Sequence, residues 1–372
     1  FTPRAIEDRG DLLVHGVNIA PGKPTALGMV KGRPVIGLPG YPVAMAVAAR
    51  LFLQPLLRRL LGLPDPLPET MEAELPRDIP SRLDSKEFIR VRLGRVGGRT
   101  FAYILPRGSA AILSWARAQG LVTVPEGVEG LPAESRAEVE LLRGRPDLDR
   151  TVVLSGSHDL ALDILEDEMR LRGFTLLCSA VGSLGGILAL RDGTAHLATA
   201  HLLDPESGEY NTPYMERFLA GRRVERIGMI SRDQGLIVPT GNPAGLHGWA
   251  DLARPGVTIV NRQKGSGSRV LFDYRIGEAG VDPGQVAGYD REEYTHWAVA
   301  MAVRSGLADT GLGIASAATT MGLDFVPLEK EEFDFLVPEE NLSHPGVKAL
   351  LGILASERFR SRVLALGGYG FR

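Results

Sequence analysis

A single cysteine, Cys178, stands in 372 residues, which excludes an internal disulfide and any zinc site built on several thiolates. It sits in the apolar run FTLLCSAVG and reads as a small buried hydrophobe rather than a nucleophile. Long hydrophobic runs are missing too. The longest candidates are broken by Arg, Gly or Pro before they reach membrane-spanning length, so no membrane partner is expected. The opening FTPRAIEDRG has none of the anatomy of a signal peptide, which points to the cytoplasm. It also lacks methionine and runs straight into a strand pattern, as in a piece of a longer protein. Excess charge of one sign is absent: Lys+Arg 42 stand against Asp+Glu 45, a formal net charge of -3. Duplex binding needs concentrated positive charge, so no nucleic-acid partner is expected. Internal repeats and low-complexity segments are also missing.

What is present is ordinary globular material, with 44% hydrophobic and 23% charged residues. The length exceeds what one core usually serves, so two or three domains are expected. Residues 1–66 read as the end of an α/β domain. There VHGVNIA leads to the turn Pro21-Gly22-Lys23-Pro24, and PVIGL runs through Pro39-Gly40-Tyr41-Pro42 into an apolar helix, VAMAVAARLFLQPLLRRLLG. Pro42 suits its first turn, Gly62 its stop, and Pro55 implies a kink. Residues 67–148 change to short alternating runs, EFIRVRLGRV, RTFAYILP, LVTVPEG and AEVELLRG, which predict a small antiparallel β-barrel. RGRPDLDR serves as a linker.

From 149 to 372 strands alternate with helices, starting TVVLSGS, HDLALDILEDEMRLRG, FTLLCSAVG. This order predicts a right-handed parallel sheet. ERIGMISRDQGLIVPTG reads as a crossover into a second lobe, about 235–325, and LDFVPLEKEEFDFLVP runs back to one last helix from about Ser343 to Leu366. The fold class is therefore α/β: the end of an α/β domain, a small β-barrel, then a two-lobed α/β domain with a ligand cleft between its lobes.

Gly/Ser turns recur where strands give way to helices: Ser155-Gly156-Ser157, Gly182-Ser183, and Gly265-Ser266-Gly267-Ser268-Arg269. Free backbone N–H groups, the positive end of a helix dipole and Ser hydroxyls meet at such places, and an anion is the natural guest. Each turn alone is explained by Ser as an N-cap and Gly as a turn residue. Three of them at equivalent places on two lobes point to a site, because ligands collect outside the carboxyl ends of strands. Arg269 is read as pairing with an oxyanion or pointing to solvent. Tyr210-Asn211-Thr212 would close the cleft or form a solvated loop, and Thr295 begins a fourth helix there. Asp309 would orient a turn. His196 and His201, five apart on a strand, fall on opposite faces, so no shared metal is expected. Ser157, His158 and Asp159 are adjacent and diverge, so they do not form a triad among themselves.

VNIAPGKPTALG and PVIGLPGYPVAMAVAARLFLQPLL resemble the end of the molybdopterin-binding domain of molybdopterin molybdotransferases. EFIRVRL and PRGSAAILSWARAQGLVTVPEG are similar to the C-terminal β domain of that family. The resemblance covers about the first 148 residues. It implies molybdate insertion into adenylylated molybdopterin, a Mg2+ ion, a homodimer, and Lys23, Pro39, Gly40 and Ser109, with Ser114 beside them, at the molybdopterin site. Two positions depart from the family pattern: Ala20 stands where a basic residue is frequent and Tyr41 where Asn is. The acidic and Gly-rich motifs of the family's upstream pterin domain are absent from the chain, which implies catalytic incompleteness. Residues 151–372 resemble the type II periplasmic-binding-protein-like domain fused to such enzymes, related to molybdate-binding proteins and LysR effector domains. That likeness implies Ser157 and Ser183 as oxyanion donors, with SGSR at 266–269 similar to a tungstate-binder turn. The expected ligand is molybdate or a similar oxyanion, with a pterin or small organic acid as the alternative.

Overall fold

The computed structural model describes residues 1–371. The chain divides into two compact units, Phe1–Asp149 and Arg150–Arg372.

In the first unit, Gly10–His15, Ala26–Val30 and Arg33–Gly37 form a three-stranded antiparallel sheet. The helix that follows is not simply kinked at Pro55. It is α-helical over Pro42–Ala48, widens to a π turn over Ala49–Leu53 and resumes over Gln54–Leu60. Pro55 has no N–H to give, and the wider turn just before it absorbs the missing bond. Leu57, Leu60 and Leu61 stay exposed on this helix and its end. Five strands then close a barrel: Lys86–Val96, Arg99–Ile104, Thr70–Glu74, Arg136–Leu141 and Gly120–Val124, which returns to Lys86–Val96. Period-two alternation turns Ile89, Val91 and Leu93 into its core, where they meet Val122, Val124 and Val139.

The second unit starts with β1 (Thr151–Gly156), α1 (Leu160–Leu171), β2 (Thr175–Ala180), α2 (Gly182–Arg191) and β3 (Leu197–Ala200). Both neighbours of β1 run parallel to it. Ala161, Leu165 and Met169, one face of α1, are fully buried. The chain crosses on β4 (Val224–Val238) to β5 (Ile259–Arg262), α3 (Gly267–Glu278), α4 (His296–Arg304) and β6 (Thr310–Ile314), then returns on β7 (Asp324–Pro338). The two crossover strands pair antiparallel along their whole length, with Arg232 opposite Glu331 and a register shift on either side of that rung. The single last helix read from the sequence is two, α5 (Pro345–Leu354) and α6 (Glu357–Leu364). The Ser356 hydroxyl caps Phe359 N–H and starts a new axis. A short β8 (Tyr369–Gly370) adds to β4 at Ser231 and Arg232.

The first lobe's core joins α1, α5 and α6 to the sheet through Leu165, Met169, Phe333, Phe335, Leu350 and Phe359. Each such side chain contributes roughly 1.5–3 kcal/mol by leaving water. His196 lies beside this core with its ring 4.5 Å from that of His344, and its Nδ1 accepts Val153 N–H at 3.0 Å. Burial, then His344, pushes its pKa down to about 4. The unfolded chain therefore binds the proton first, and stability is lost as pH falls from the ordinary histidine range toward that value. Between neutral pH and pH 5 a loss of about 2 kcal/mol is expected in urea unfolding. His196→Asn, whose Oδ1 can still accept from Val153, should flatten that slope.

Candidate anion-binding cleft

Between the lobes lies a cavity of about 690 Å³. The N-caps of four helices line it: Asp159 for α1, Val181 for α2, Ser266 for α3 and Thr295 for α4. Side chains cap three of them, since Asp159 accepts from Ala161 N–H, Ser266 from Arg269 N–H and Thr295 from Ala298 N–H. Helix α2 has no side-chain cap, so the positive end of its dipole is left for a guest.

Two serines sit at that end. Ser157 Oγ and Ser183 Oγ are 2.8 Å apart, and both residues line the cleft. Local geometry puts Ser157 there. Gly156 has φ +145°, and a Cβ on it would meet Thr199 O at 2.3 Å. Thr199 Oγ1 donates to Ser157 O at 2.8 Å and fixes the turn.

Behind the serines runs a buried polar chain absent from the sequence-based reading. His201 Nε2 is 3.0 Å from Ser157 Oγ and its Nδ1 is 2.8 Å from Glu331 Oε1. Arg232 donates to Glu331 Oε2 at 2.5 Å and to Asp159 Oδ2 at 2.6 Å, and Tyr369 OH reaches Asp159 Oδ2 at 3.2 Å. Burial alone would raise the Glu331 carboxyl, but Arg232 and then His201 outweigh it and hold it well below the usual carboxylate range. Both acids are thus saturated with donors and do not repel an anion as free carboxylates would.

The opposite wall carries Arg262, Lys264 and His296. Among the described residues Arg262 has no carboxylate partner; it donates to Gln263 Oε1 and to the carbonyls of Glu293 and Tyr294. Burial, then Arg232, lowers its pKa to about 10, so it stays charged at neutral pH. His296 Nδ1 is buried without a hydrogen-bond partner. Burial, followed by Arg262 and Arg232, pushes that imidazole well below its ordinary pKa and keeps it neutral.

Of the residues proposed from sequence, Ser157, Ser183, Ser266, Ser268 and Thr295 line the cleft, although the Ser268 hydroxyl already accepts from Gln234 Nε2 at 3.2 Å. Ser155 does not reach it; the residue is 2% exposed within β1, and α2 packs so close that a Cβ on Gly186 would meet Ser155 O at 2.7 Å. Arg269 neither faces an anion nor points to solvent. It is buried, bound to Asp273 at 2.9 Å and Glu292 at 3.4 Å, and stacked on Tyr289. In SGSR the helix turns this side chain away, and the guanidinium at the cleft comes from β5. Tyr210 packs into the second lobe's core. Asn211 is fully buried and bonded to Leu202 N–H, Ala200 O and Asp334, so the loop closes on the protein and not on the cleft. Asp309 accepts Thr258 N–H at 2.8 Å.

A second cavity, about 610 Å³ and within the first unit, is lined by Ala20, Pro21, Ser81, Arg82, Arg90, Arg107 and Ser109, among others. Arg90 is 2% exposed, and its Nε and Ser81 Oγ have no hydrogen-bond partner. Ser109 O accepts Val43 N–H at 3.0 Å, which brings it to the first turn of the helix after Pro39-Gly40. Lys23 sits on the surface, 3.5 Å from Asp84 with both side chains about two-thirds exposed. Ser114 donates to Ala111 O and does not line the cavity. The signal for Arg90 was available in EFIRVRL, where alternate residues form the barrel core and an arginine falls between them.

Two lobes joined by paired crossover strands, with helix N-termini walling the space between them, define a two-lobed binding domain. The chain belongs to the PBP superfamily, whose domain model matches residues 166–355. It is joined to molybdopterin-family segments: residues 1–59 match a probable molybdopterin binding domain and residues 72–142 the MoeA C-terminal region (domain IV). It is 37% identical over 238 residues to the uncharacterized protein YvgK of Bacillus subtilis, covering 64% of this chain and 76% of that protein. It is 35% identical over 145 residues to the putative molybdopterin biosynthesis protein MJ0666 of Methanocaldococcus jannaschii, covering 38% of this chain. The chain spans only 33% of that relative's length. Among solved structures, the tungstate ABC transporter of Geobacter sulfurreducens aligns at TM-score 0.45 and 15% identity, over 58% of this chain and 98% of that one. Among the described residues no helix is long and apolar enough to cross a membrane.

Proposed function

We propose that this is a protein of molybdenum-cofactor biosynthesis whose two-lobed domain captures a tetrahedral oxyanion of the molybdate class. The observation that carries it is the uncapped N-terminus of α2 with Ser157 and Ser183 beside it, faced by an Arg262 that has no carboxylate partner among the described residues. Neutral and cationic donors converge there, and the nearby carboxylates are already satisfied.

The test is binding. Ser157→Ala and Ser183→Ala should each weaken molybdate by roughly tenfold to a hundredfold, the loss of one charge-assisted hydrogen bond of about 1.5–3 kcal/mol. Molybdate should raise the melting temperature of the wild-type chain, less so in each variant, while the ligand-free melting point moves little. Absence of any shift with millimolar molybdate, tungstate or sulfate would remove the oxyanion reading. A second reading, a pterin or small organic acid, is favoured by one observation: the cavity is of a size for organic ligands, and Tyr294, Trp297 and Leu184 line it. It takes over if such a ligand binds and the inorganic anions do not.

For the first unit we propose a part of the molybdopterin-handling machinery that inserts molybdate into adenylylated molybdopterin in the cytoplasm. Arg90, Arg107 and Ser109 would receive a phosphate in their cavity, with Lys23, Pro39 and Gly40 at its approach. Among the described residues no three His, Cys, Asp or Glu side chains cluster to hold a metal by themselves, so a Mg2+ ion here would be held by one or two carboxylates together with the phosphate of the ligand. No step is drawn through it. A homodimer formed over the exposed Leu57, Leu60 and Leu61 is part of this proposal. Sedimentation of the chain as a monomer at micromolar concentration would count against it.

A further inference from the structure

Hydrogen-bond polarity at the back of the cleft allows two arrangements. Glu331 is ionised beside Arg232, and an ionised carboxylate only accepts. His201 Nδ1, 2.8 Å from Glu331 Oε1, therefore carries a proton. If Nε2 is bare, it takes the Ser157 hydroxyl hydrogen across 3.0 Å. Ser157 can then only accept, and across 2.8 Å it draws the hydrogen of Ser183. Both O–H bonds point inward, and neither serves an anion. If Nε2 is protonated, it donates to Ser157 Oγ while His201 N–H donates to Ser183 Oγ at 3.2 Å. One hydroxyl hydrogen is then released toward the cleft, and the second follows once an anion opens the 2.8 Å contact between the serines.

We propose that His201 is the positioning residue that sets this polarity: the oxyanion is captured with His201 as imidazolium, so wherever the free protein holds the ring neutral the anion brings one proton into the site. The inference rests on the proposal that Ser157 and Ser183 hold the anion. The surroundings suit a charged ring. From β7, Glu331 accepts from it and Phe333 stacks on it, ring centres 5.3 Å apart. From β4 comes Arg232, itself balanced by Glu331 and Asp159. Helix α4 presents His296, kept neutral by burial. Strand β5 presents Arg262, and Lys264 lines the same cleft. Helix α3 brings only backbone at Gly267, where a Cβ would meet His201 Cε1 at 2.6 Å. Asp159 and Glu331 offset one arginine and the imidazolium, which leaves Arg262 and Lys264 for the anion.

The test is isothermal calorimetry of the whole chain with sulfate, or molybdate where sulfate does not bind, in buffers of different ionisation heat between about pH 6 and pH 9. The wild type should take up close to one proton per anion in the upper part of that range, with affinity falling there by up to about tenfold per pH unit. His201→Gln should bind with an affinity that no longer depends on pH and with no uptake. Wild-type binding that is flat across the range and releases or takes up no proton overturns the inference, as does uptake that persists in His201→Gln. If the variant does not fold, the wild-type buffer series decides alone. Failure of both anions to bind at every pH is a different result and removes the anion site itself.

Discussion

Arg232→Met should cost the two-lobed domain about 3–5 kcal/mol, the usual penalty for removing one partner from a buried ion network. Arg232 is 3% exposed, and it answers two carboxylates, Asp159 and Glu331, that are equally buried. Its removal leaves two buried negative charges with a histidine, a glutamine amide, a tyrosine hydroxyl and one backbone N–H to hold them. Denaturation followed by tryptophan fluorescence, with Trp115 of the first unit replaced by Phe so that Trp249 and Trp297 report alone, measures the loss, and a change below about 1 kcal/mol would mean that the network contributes little. The same network should make the domain sensitive to acid. Because the Glu331 carboxyl is held below its ordinary range in the fold, its contribution is fully present above the unfolded carboxylate range. It is lost as pH falls through the folded value. In the Arg232 variant this acid sensitivity should shrink, since the carboxylate no longer has the charge that stabilises it.

Arg262→Ala should weaken oxyanion binding by roughly tenfold to more than a hundredfold, from about 1.5–3 kcal/mol of charge-assisted hydrogen bonding. Arg269→Ala should leave affinity within about twofold and lower stability instead, because Arg269 is committed to Asp273, Glu292 and Tyr289. Titration calorimetry of the two variants side by side separates them. If Arg269→Ala lost affinity and Arg262→Ala did not, the second wall of the cleft would be misassigned.

These two arginines show where the sequence was legible and where it was not. Strand–helix alternation from Thr151, the barrel strands and the crossover segments follow from periodicity and turn residues, which act over a few neighbours. The serines at helix starts were visible for the same reason, since an N-cap is a local signature. Arg269 was misread because it stands next to Ser268 in sequence, whereas the first turn of α3 rotates it away from the anion. Arg262, His201, Arg232 and Glu331 carry no local signature. They come from four different strands or their ends, and only the pairing of β4 with β7 puts Arg232 opposite Glu331. In sequence the histidine nearest His201 is His196, whereas the groups it bonds lie 44 and 130 residues away.

The rung formed by Arg232 and Glu331 lies between register shifts at Gly228/Ile230 and Gln234/Gly235. A bulged strand bends where its ladder is interrupted. The rung is bonded to Asp159 and His201 of the first lobe, so it belongs mechanically with Ser157 and Ser183, while Arg262 and Thr295 lie beyond the second shift. Closing of the lobes on an anion would then bend the ribbon past Gln234 and bring the second wall to a guest already seated on the first. The consequence is kinetic. Alterations at Ser157 or Ser183 should act on the residence time of the anion, whereas loss of Arg262, the charged group of the second wall, should shorten residence and slow arrival as well.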